Sequence, residues 1–282
     1  MTPDRNQAAR ELLTFYLEAG VDAVLGETAV DRFADPAALS PPPAIGQPAI
    51  DHAAAPQSGS RPALDRARPS AAIVAASPGP LPPDSAVMAA REEAKNAKTL
   101  DELRTILDGF TGCTLRATAT RLVFADGNPQ ARVMFVGEAP GRDEDIEGLP
   151  FVGRSGKLLD RIMAAIGLTR ANAYIANIVP WRPPGNRTPT PQESAICLPF
   201  TLRQIELVDP DVLVCLGGPS AQTLLGSRDG ILKTRGRWFT FHTGSREIRA
   251  TATLHPAYLL RQPLQKRLAW RDFLAIKKAL AG

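Results

Sequence analysis

The chain is predicted to be an α/β protein, an α/β/α sandwich in which helices cover both faces of a central four-stranded, mostly parallel sheet. Three observations predict it. Short apolar runs, β-branched in part and closed off by nearby Gly or Pro, recur at residues 132–136, 173–179, 212–216 and 248–254. Segments with helical periodicity and their own start and stop residues lie between them, and strand alternating with helix is the pattern of a parallel sheet covered on both sides. With 282 residues, 44% of them hydrophobic, the chain can bury the core such a sandwich needs.

The elements follow in order. Residues 6–25 set Leu12, Phe15, Tyr16, Ala19 and Ala23 at helical spacing, so a short amphipathic helix is expected within residues 1–33. From there to residue 84 the composition turns to Ala, Pro and Ser, with "LSPPPAIGQP" and "SPGPLPP" giving no period and little to bury. That stretch is expected to be a disordered linker. The remaining domain, residues 85–282, opens with a helical segment over 85–107, where Thr99 and Glu102 in "TLDELRTIL" have the spacing of a capping box. "SGKLLDRIMAAIG" reads as a helix capped by Ser155 and stopped by Gly167. "TPQESAICLPFTLRQIELV" reads as another, with Thr190 and Glu193 as its capping box.

A formal charge of +4 favours a polyanionic partner only slightly. Three cysteines (Cys113, Cys197, Cys215) without a C-x-x-C pair make no disulfide framework, which points to a reducing, cytoplasmic setting. Neither a signal peptide nor a stretch long enough to span a bilayer is visible.

Ligands of open parallel sheets sit beyond the carboxyl ends of the strands, so those ends are where chemistry is sought. The first run ends in Gly137-Glu138-Ala139-Pro140-Gly141, a carboxylate on a stiff turn where bare backbone can approach a flat ligand. The same turn also suits a solvated acid. Phe151 is ringed by Gly148, Gly153, Gly156 and Pro150, small neighbours that suit a stacking plate for a base. Asn177 ends the second run, and its amide can read the N3–H and O4 edge of a pyrimidine or simply cap a loop. His255 ends the last, directly before proline. Carboxylate, aromatic plate, amide and imidazole are together what hydrolysis of a base–sugar bond requires. The acid stabilises a cation-like sugar and directs water, the imidazole stabilises the departing base at O2, and no metal is needed.

The stretches "GEAPGRDED", "GLPFVGRSGKLLD", "NIVPWRPPGNR" and "HPAYLLR" resemble, in this order, the motifs of the family 4 uracil-DNA glycosylases, from about Leu107 to the C-terminus. The resemblance implies the fold of that superfamily. It also implies removal of uracil from single- or double-stranded DNA as the first step of base-excision repair, with the base swung out of the helix into a pocket. Carried over by position, Glu138 would orient or activate the water, and Gly137, Ala139 and Gly141 would line the pocket. Phe151 would stack on uracil, Asn177 would read its edge and His255 would face O2. Glu144 would either guard C5 against the thymine methyl or assist the water, and Asn186 belongs to a loop near the site. Tyr258, Leu259 and Leu260 lie where the superfamily pushes a wedge into the vacated stack, with Arg261 next to a phosphate. Arg154, Lys157, Arg187, Lys233, Arg235 and Arg237 are candidate backbone contacts. Nothing in the sequence suggests more than a monomer, and the N-terminal helix could recruit a repair or replication partner through the linker. A non-catalytic DNA-binding or polymerase-associated module of the same fold is the alternative.

One departure stands out. The family carries a [4Fe-4S] cluster on four cysteines, and here those places read Phe110, Cys113, Trp181 and Cys197. Two thiolates are too few for a conventional cubane. The expectation is therefore a protein with no cofactor, in which Phe110 and Trp181 fill the cluster's volume and Cys215 is a small buried hydrophobe in a strand.

Overall fold

The computed structural model describes residues 83–281. The N-terminal helix and nearly all of the linker expected from the sequence lie outside the described residues. The first element, α1 (Pro83–Asn96), carries Ala86, Ala90 and Ala94 at four-residue spacing, all buried. A stripe of methyl groups lets its backbone come close to the long helix α5 described below. After it, α2 (Leu100–Gly109) starts at Thr99, whose hydroxyl accepts the Glu102 N–H at 3.1 Å. The Glu102 carboxylate reaches the Lys98 N–H at 2.7 Å instead of Thr99, so the return half of the expected box is displaced by one residue. Residues 85–107 are thus two helices, broken just before this cap.

Six strands form one sheet in the order β1-β3-β2-β4-β6-β5. Its centre is the predicted quartet, β2 (Val133–Gly137), β3 (Tyr174–Asn177), β4 (Val212–Leu216) and β6 (Glu247–Thr253), paired in parallel throughout. Two antiparallel edges extend it, β1 (Asp126–Gly127) against β3 and β5 (Trp238–His242) against β6. Successive residues of the central strands face opposite cores, as the pleat demands. Met134 and Val136 join Phe110, Trp181 and Phe200 beneath α1, α2 and α5 (Pro191–Val208). Val133 and Phe135 join Leu159, Met163, Phe273 and Ile276 beneath α4 (Arg154–Ala165) and α9 (Lys266–Ala281). Both faces are covered, which is the sandwich the alternating pattern predicts.

The crossings carry the remaining helices: α3 (Arg142–Glu147) after β2, α6 (Gly218–Leu225) after β4, α7 (Ile231–Thr234) before β5, and α8 (Pro256–Arg261) after β6. At the start of α5 the Thr190 hydroxyl accepts the Glu193 N–H at 3.2 Å and the Glu193 carboxylate accepts the Thr190 N–H at 2.7 Å, a complete capping box. Helix α4 differs from expectation at its front end. Gly153 is its N-cap and Ser155 lies inside the first turn, whereas Gly167, at φ +86°, stops it as predicted.

Arg235, a candidate DNA contact in the sequence, points into the molecule. Its guanidinium pairs with the buried Asp272 of α9 and donates to the Leu268 carbonyl at 2.5 Å, while Thr253 of β6 donates to the same carboxylate at 2.7 Å. The network fastens α9 to the end of the sheet, and both charges are withdrawn from water. Breaking one side of such a pair leaves the other charge stranded. Asp272→Ala is therefore expected to cost about 3 kcal/mol of stability, read as a lower urea midpoint, with little change in the salt dependence of DNA binding.

Candidate active site

Strand β2 delivers Gly137 and then Glu138 to the carboxyl edge of the sheet, and the parallel register sets Gly137 directly beside Asn177 of β3. A Cβ on Gly137 would lie 2.4 Å from Asn177 Oδ1 and 2.7 Å from Phe151 Cζ, so only glycine lets these groups meet. The Phe151 ring in turn lies 5.6 Å from the His255 ring, tilted by 33°. Gly217, at φ +97°, backs His255, and a side chain there would stand 3.1 Å from the histidine Cβ. Glu138, Phe151, Asn177 and His255 thus converge on one cavity of about 600 Å³, with Thr188 and Tyr258 also in its wall.

Among the described residues, two buried side-chain polar atoms have no hydrogen-bond partner, Glu138 Oε1 and Asn177 Oδ1. Both belong to this cavity. Leaving a buried acceptor unpaired is costly, so the pair marks where donors from a bound molecule would be welcome. Burial raises the Glu138 carboxyl above its ordinary value, partly offset by a hydrogen bond from Thr188. His255 is moved the other way: burial, and then the Arg261 cation, push its imidazole down to about 4. Its Nδ1 accepts the Ala257 N–H at 3.1 Å, which leaves the proton of the neutral ring on Nε2. The cavity therefore combines an aromatic plate, an amide oxygen, a carboxylate with a raised pKa and a neutral N–H donor.

Glu144 lines the cavity too, and its carboxylate also holds the surrounding backbone. It accepts the N–H groups of Gly141, Val152 and Gly153, each at 3.0 Å. Three of the roughly four acceptor sites of a carboxylate are used in this way. Glu144 is a latch between the turn after β2 and the loop that carries Phe151. The signal was present in the sequence as an acid three residues after Gly141, the capping-box spacing. Asp145 is a second buried latch that sequence reasoning missed. It accepts the Thr120 N–H at 2.7 Å, the Thr120 hydroxyl at 2.9 Å and the Arg121 N–H at 3.2 Å.

The remaining candidates divide by environment. Asn186, at φ +56°, lines the cavity and accepts from Arg182 Nε at 2.6 Å. Ala139, Gly141, Arg187 and Arg261 also line it. Arg187 forks onto Glu193 at 2.8 and 2.7 Å, whereas Arg261 stands exposed at the rim. Arg154, Lys157 and Lys233 are exposed, and Arg237 pairs with Asp229 at 3.2 Å. In α8, Tyr258 is half-buried and Leu260 is 36% exposed, but Leu259 is wholly buried in a cluster with Leu254 and Ala269. A side chain packed in that cluster is not available to enter a base stack, so the wedge expectation does not hold for Leu259.

At the four places where the resemblance implies cluster ligands, Cys113 and Cys197 bring their sulfurs to 3.9 Å, both buried. Phe110 packs edge-on to Phe200 with ring centres 5.0 Å apart, and Trp181 is 2% exposed in the same core. A phenyl ring and an indole donate nothing to iron. No group of three or more His, Cys, Asp or Glu able to hold a metal occurs among the described residues. These side chains do not fit a four-thiolate cluster. Cys215 lies in β4 with its thiol pushed up to about 12 by burial, which makes it core.

Fold and site define an α/β sandwich with a cleft of about 600 Å³ at the carboxyl edge of its parallel strands. Residues 124–274 match the family profile of the uracil DNA glycosylase superfamily, and the chain belongs to that superfamily. It is similar to the type-4 uracil-DNA glycosylase of Archaeoglobus fulgidus, 39% identical over 64% of this chain and 92% of that protein. It is also similar to those of Thermotoga maritima, 45% identical over 54% of this chain and 78% of that protein, and of Saccharolobus solfataricus, 40% identical over 60% and 81%.

Proposed function

We infer that the protein is a uracil-DNA glycosylase, hydrolysing the N-glycosidic bond of deoxyuridine swung out of DNA and so initiating base-excision repair. The observation that carries this reading is the pair of orphaned acceptors, Glu138 Oε1 and Asn177 Oδ1, in one cavity beside a neutral histidine. Uracil supplies what they lack. Its N3–H can donate to Asn177 Oδ1 while the amide N–H group reaches O4, and Phe151 stacks on the ring. Cytosine offers a lone pair at N3, which would meet the amide oxygen as a second acceptor.

As the bond to the sugar breaks, negative charge gathers on the base and positive charge on the sugar. His255 Nε2–H donates to O2 of the departing uracil, and the neutral ring does this without first burying a cation. The Glu138 carboxylate stabilises the cationic sugar and takes a proton from the attacking water. Opening the stack to deliver the base calls on Tyr258 and Leu260 at the cleft, with Arg261 placed for a phosphate. We also propose that the chain acts as a monomer, and that residues 1–33 serve to recruit a repair or replication partner.

An oligonucleotide with a single uracil, in single- and double-stranded form beside thymine and cytosine controls, tests the reading through alkali-labile sites. Cleavage is expected at uracil only, and an intact uracil strand would overturn it. Glu138→Ala is expected to lower the single-turnover rate by about 10²- to 10⁴-fold and His255→Ala by about 10²- to 10³-fold.

The reaction needs the carboxylate form of Glu138, and burial raises its pKa above the 4.5 of an ordinary glutamate. The rate should therefore fall as pH drops through a value above 4.5, and the limb should vanish in Glu138→Gln. His255, neutral down to about 4, should add no limb near neutrality.

The residues that replace two cluster ligands support a further proposal, that this chain has dispensed with the iron–sulfur cluster while keeping the reaction. Purified protein should be colourless, with iron and acid-labile sulfide far below one cluster per chain and uracil excision intact. A brown protein with stoichiometric iron and sulfide would refute it.

A further inference from the structure

Phe151 holds a backbone conformation that a residue with a side chain rarely adopts, at φ +56°. Such a residue persists where its surroundings over-determine it, and at a binding site the constraint is part of the function. The surroundings here are charged. Arg170, in the turn before β3, donates from Nη1 to the Pro150 carbonyl at 3.1 Å and from Nη2 to the Phe151 carbonyl at 2.5 Å. The same guanidinium is itself held by two carboxylates, Asp126 at 2.5 Å and Asp160 at 2.9 Å. On the far side of the same loop the Glu144 carboxylate takes the N–H groups of Val152 and Gly153. A cation thus grips two successive carbonyls and an anion grips the next two amides, with the aromatic residue between them. Gly156 closes the third side, since a Cβ there would stand 1.6 Å from the Phe151 oxygen.

We propose that Arg170 is a positioning residue for the uracil-stacking plate: its fork on the Pro150 and Phe151 carbonyls fixes the left-handed backbone that aims the Phe151 ring between Gly137 and His255. The inference rests on the glycosylase reading for what the plate receives. The direction of the argument is set by reach. A guanidinium presents donors in a planar fork, so it can span two carbonyls while its other edges bind carboxylates, which an ammonium cannot reproduce. Arg170 touches neither the cavity nor its ligand, so its effect must pass through Phe151.

The test is a double-mutant cycle read on two quantities, inhibition by free uracil and the single-turnover rate on a uracil-containing oligonucleotide. Arg170→Ala is expected to weaken uracil inhibition by about tenfold, comparable to loss of one base–aromatic stack, and to slow excision. Arg170→Lys should fall between it and the natural protein. In a Phe151→Leu background, which removes the plate but keeps an apolar side chain, replacing Arg170 should change uracil inhibition by less than about twofold if the two act as one unit. Equal losses in both backgrounds would mean that Arg170 merely supports the fold, and unchanged uracil inhibition in Arg170→Ala would remove the role altogether. Should Arg170→Ala fail to fold, Asp160→Asn loosens the fork while leaving it in place. A smaller loss of uracil inhibition that disappears with Phe151→Leu is then expected, and its absence counts against the proposal. If the natural protein neither excises nor binds uracil, the functional reading fails instead, and the two failures are distinct.

Discussion

A methyl group on Gly137 would sit 2.4 Å from Asn177 Oδ1 and 2.7 Å from the Phe151 ring, so the meeting of three chain segments above the sheet depends on one residue having no side chain. The parallel pairing of β2 and β3 sets Asn177 beside Gly137 in every molecule that folds this way. The ring of Phe151 can then close over the space that a side chain would have filled. What results is a slot with main chain on one side and a plate on the other, which is the shape a flat heterocycle requires. The same logic recurs behind the histidine. There Gly217, in a left-handed conformation, leaves room for His255, and a Cβ would press on it at 3.1 Å.

Three acids near this slot show how environment decides what a carboxylate does. Glu144 accepts three backbone N–H groups and Asp145 accepts three donors from Thr120 and Arg121, so both hold the loops. Glu138 keeps an oxygen without a partner, and desolvation raises its pKa. A buried carboxylate with an oxygen left unpartnered is available for chemistry. The imidazole opposite is poised by the reverse effect, because burial disfavours its cation and the Ala257 N–H selects the tautomer. Burial thus moves the two groups in opposite directions, the acid up and the imidazole down, and the Arg261 cation at the rim adds to the second shift.

The central strands, the Thr190 capping box and the four side chains of the slot were legible in the sequence because each has a local signature: an apolar run, a spacing, a strand end. The edge strands were not. β1 is two residues long and β5 opens on two half-buried positions in succession, so both are held by pairing to a neighbour and not by their own pattern. Ser155 misled for a related reason. The cap falls on Gly153, where a Cβ would meet Asp143 Oδ2 at 2.8 Å and Glu144 Oε1 at 3.3 Å, a crowding that no local spacing announces. Arg235 reads in sequence as a DNA contact and Arg170 carries no signal there, because their partners lie 33 to 37 and 10 to 44 residues away. Ion pairs of that range leave no period to read. Leu259 carried the opposite error, since a motif position suggested a wedge and only packing against Leu254 and Ala269 reveals a core residue.

The aromatic replacements at the cluster positions bear on the slot through one short stretch of chain. Trp181 is anchored in the core with Phe110 and Phe200, and its neighbour Arg182 hydrogen-bonds Asn186 at 2.6 Å. From there the chain runs directly to Asn186, Arg187 and Thr188, which line the cavity, and Thr188 in turn bonds Glu138. What the reaction asks of this region is a fixed starting point for the loop that touches the catalytic acid. A buried indole supplies that by packing alone, because fully burying a large aromatic contributes about 2 to 3 kcal/mol and admits few alternative placements. Metal coordination would fix the same point by a different force. A chain that keeps Glu138, Phe151, Asn177 and His255 can therefore exchange sulfur ligands for aromatic packing at Phe110 and Trp181, provided the loop from Arg182 to Thr188 is still held at its root.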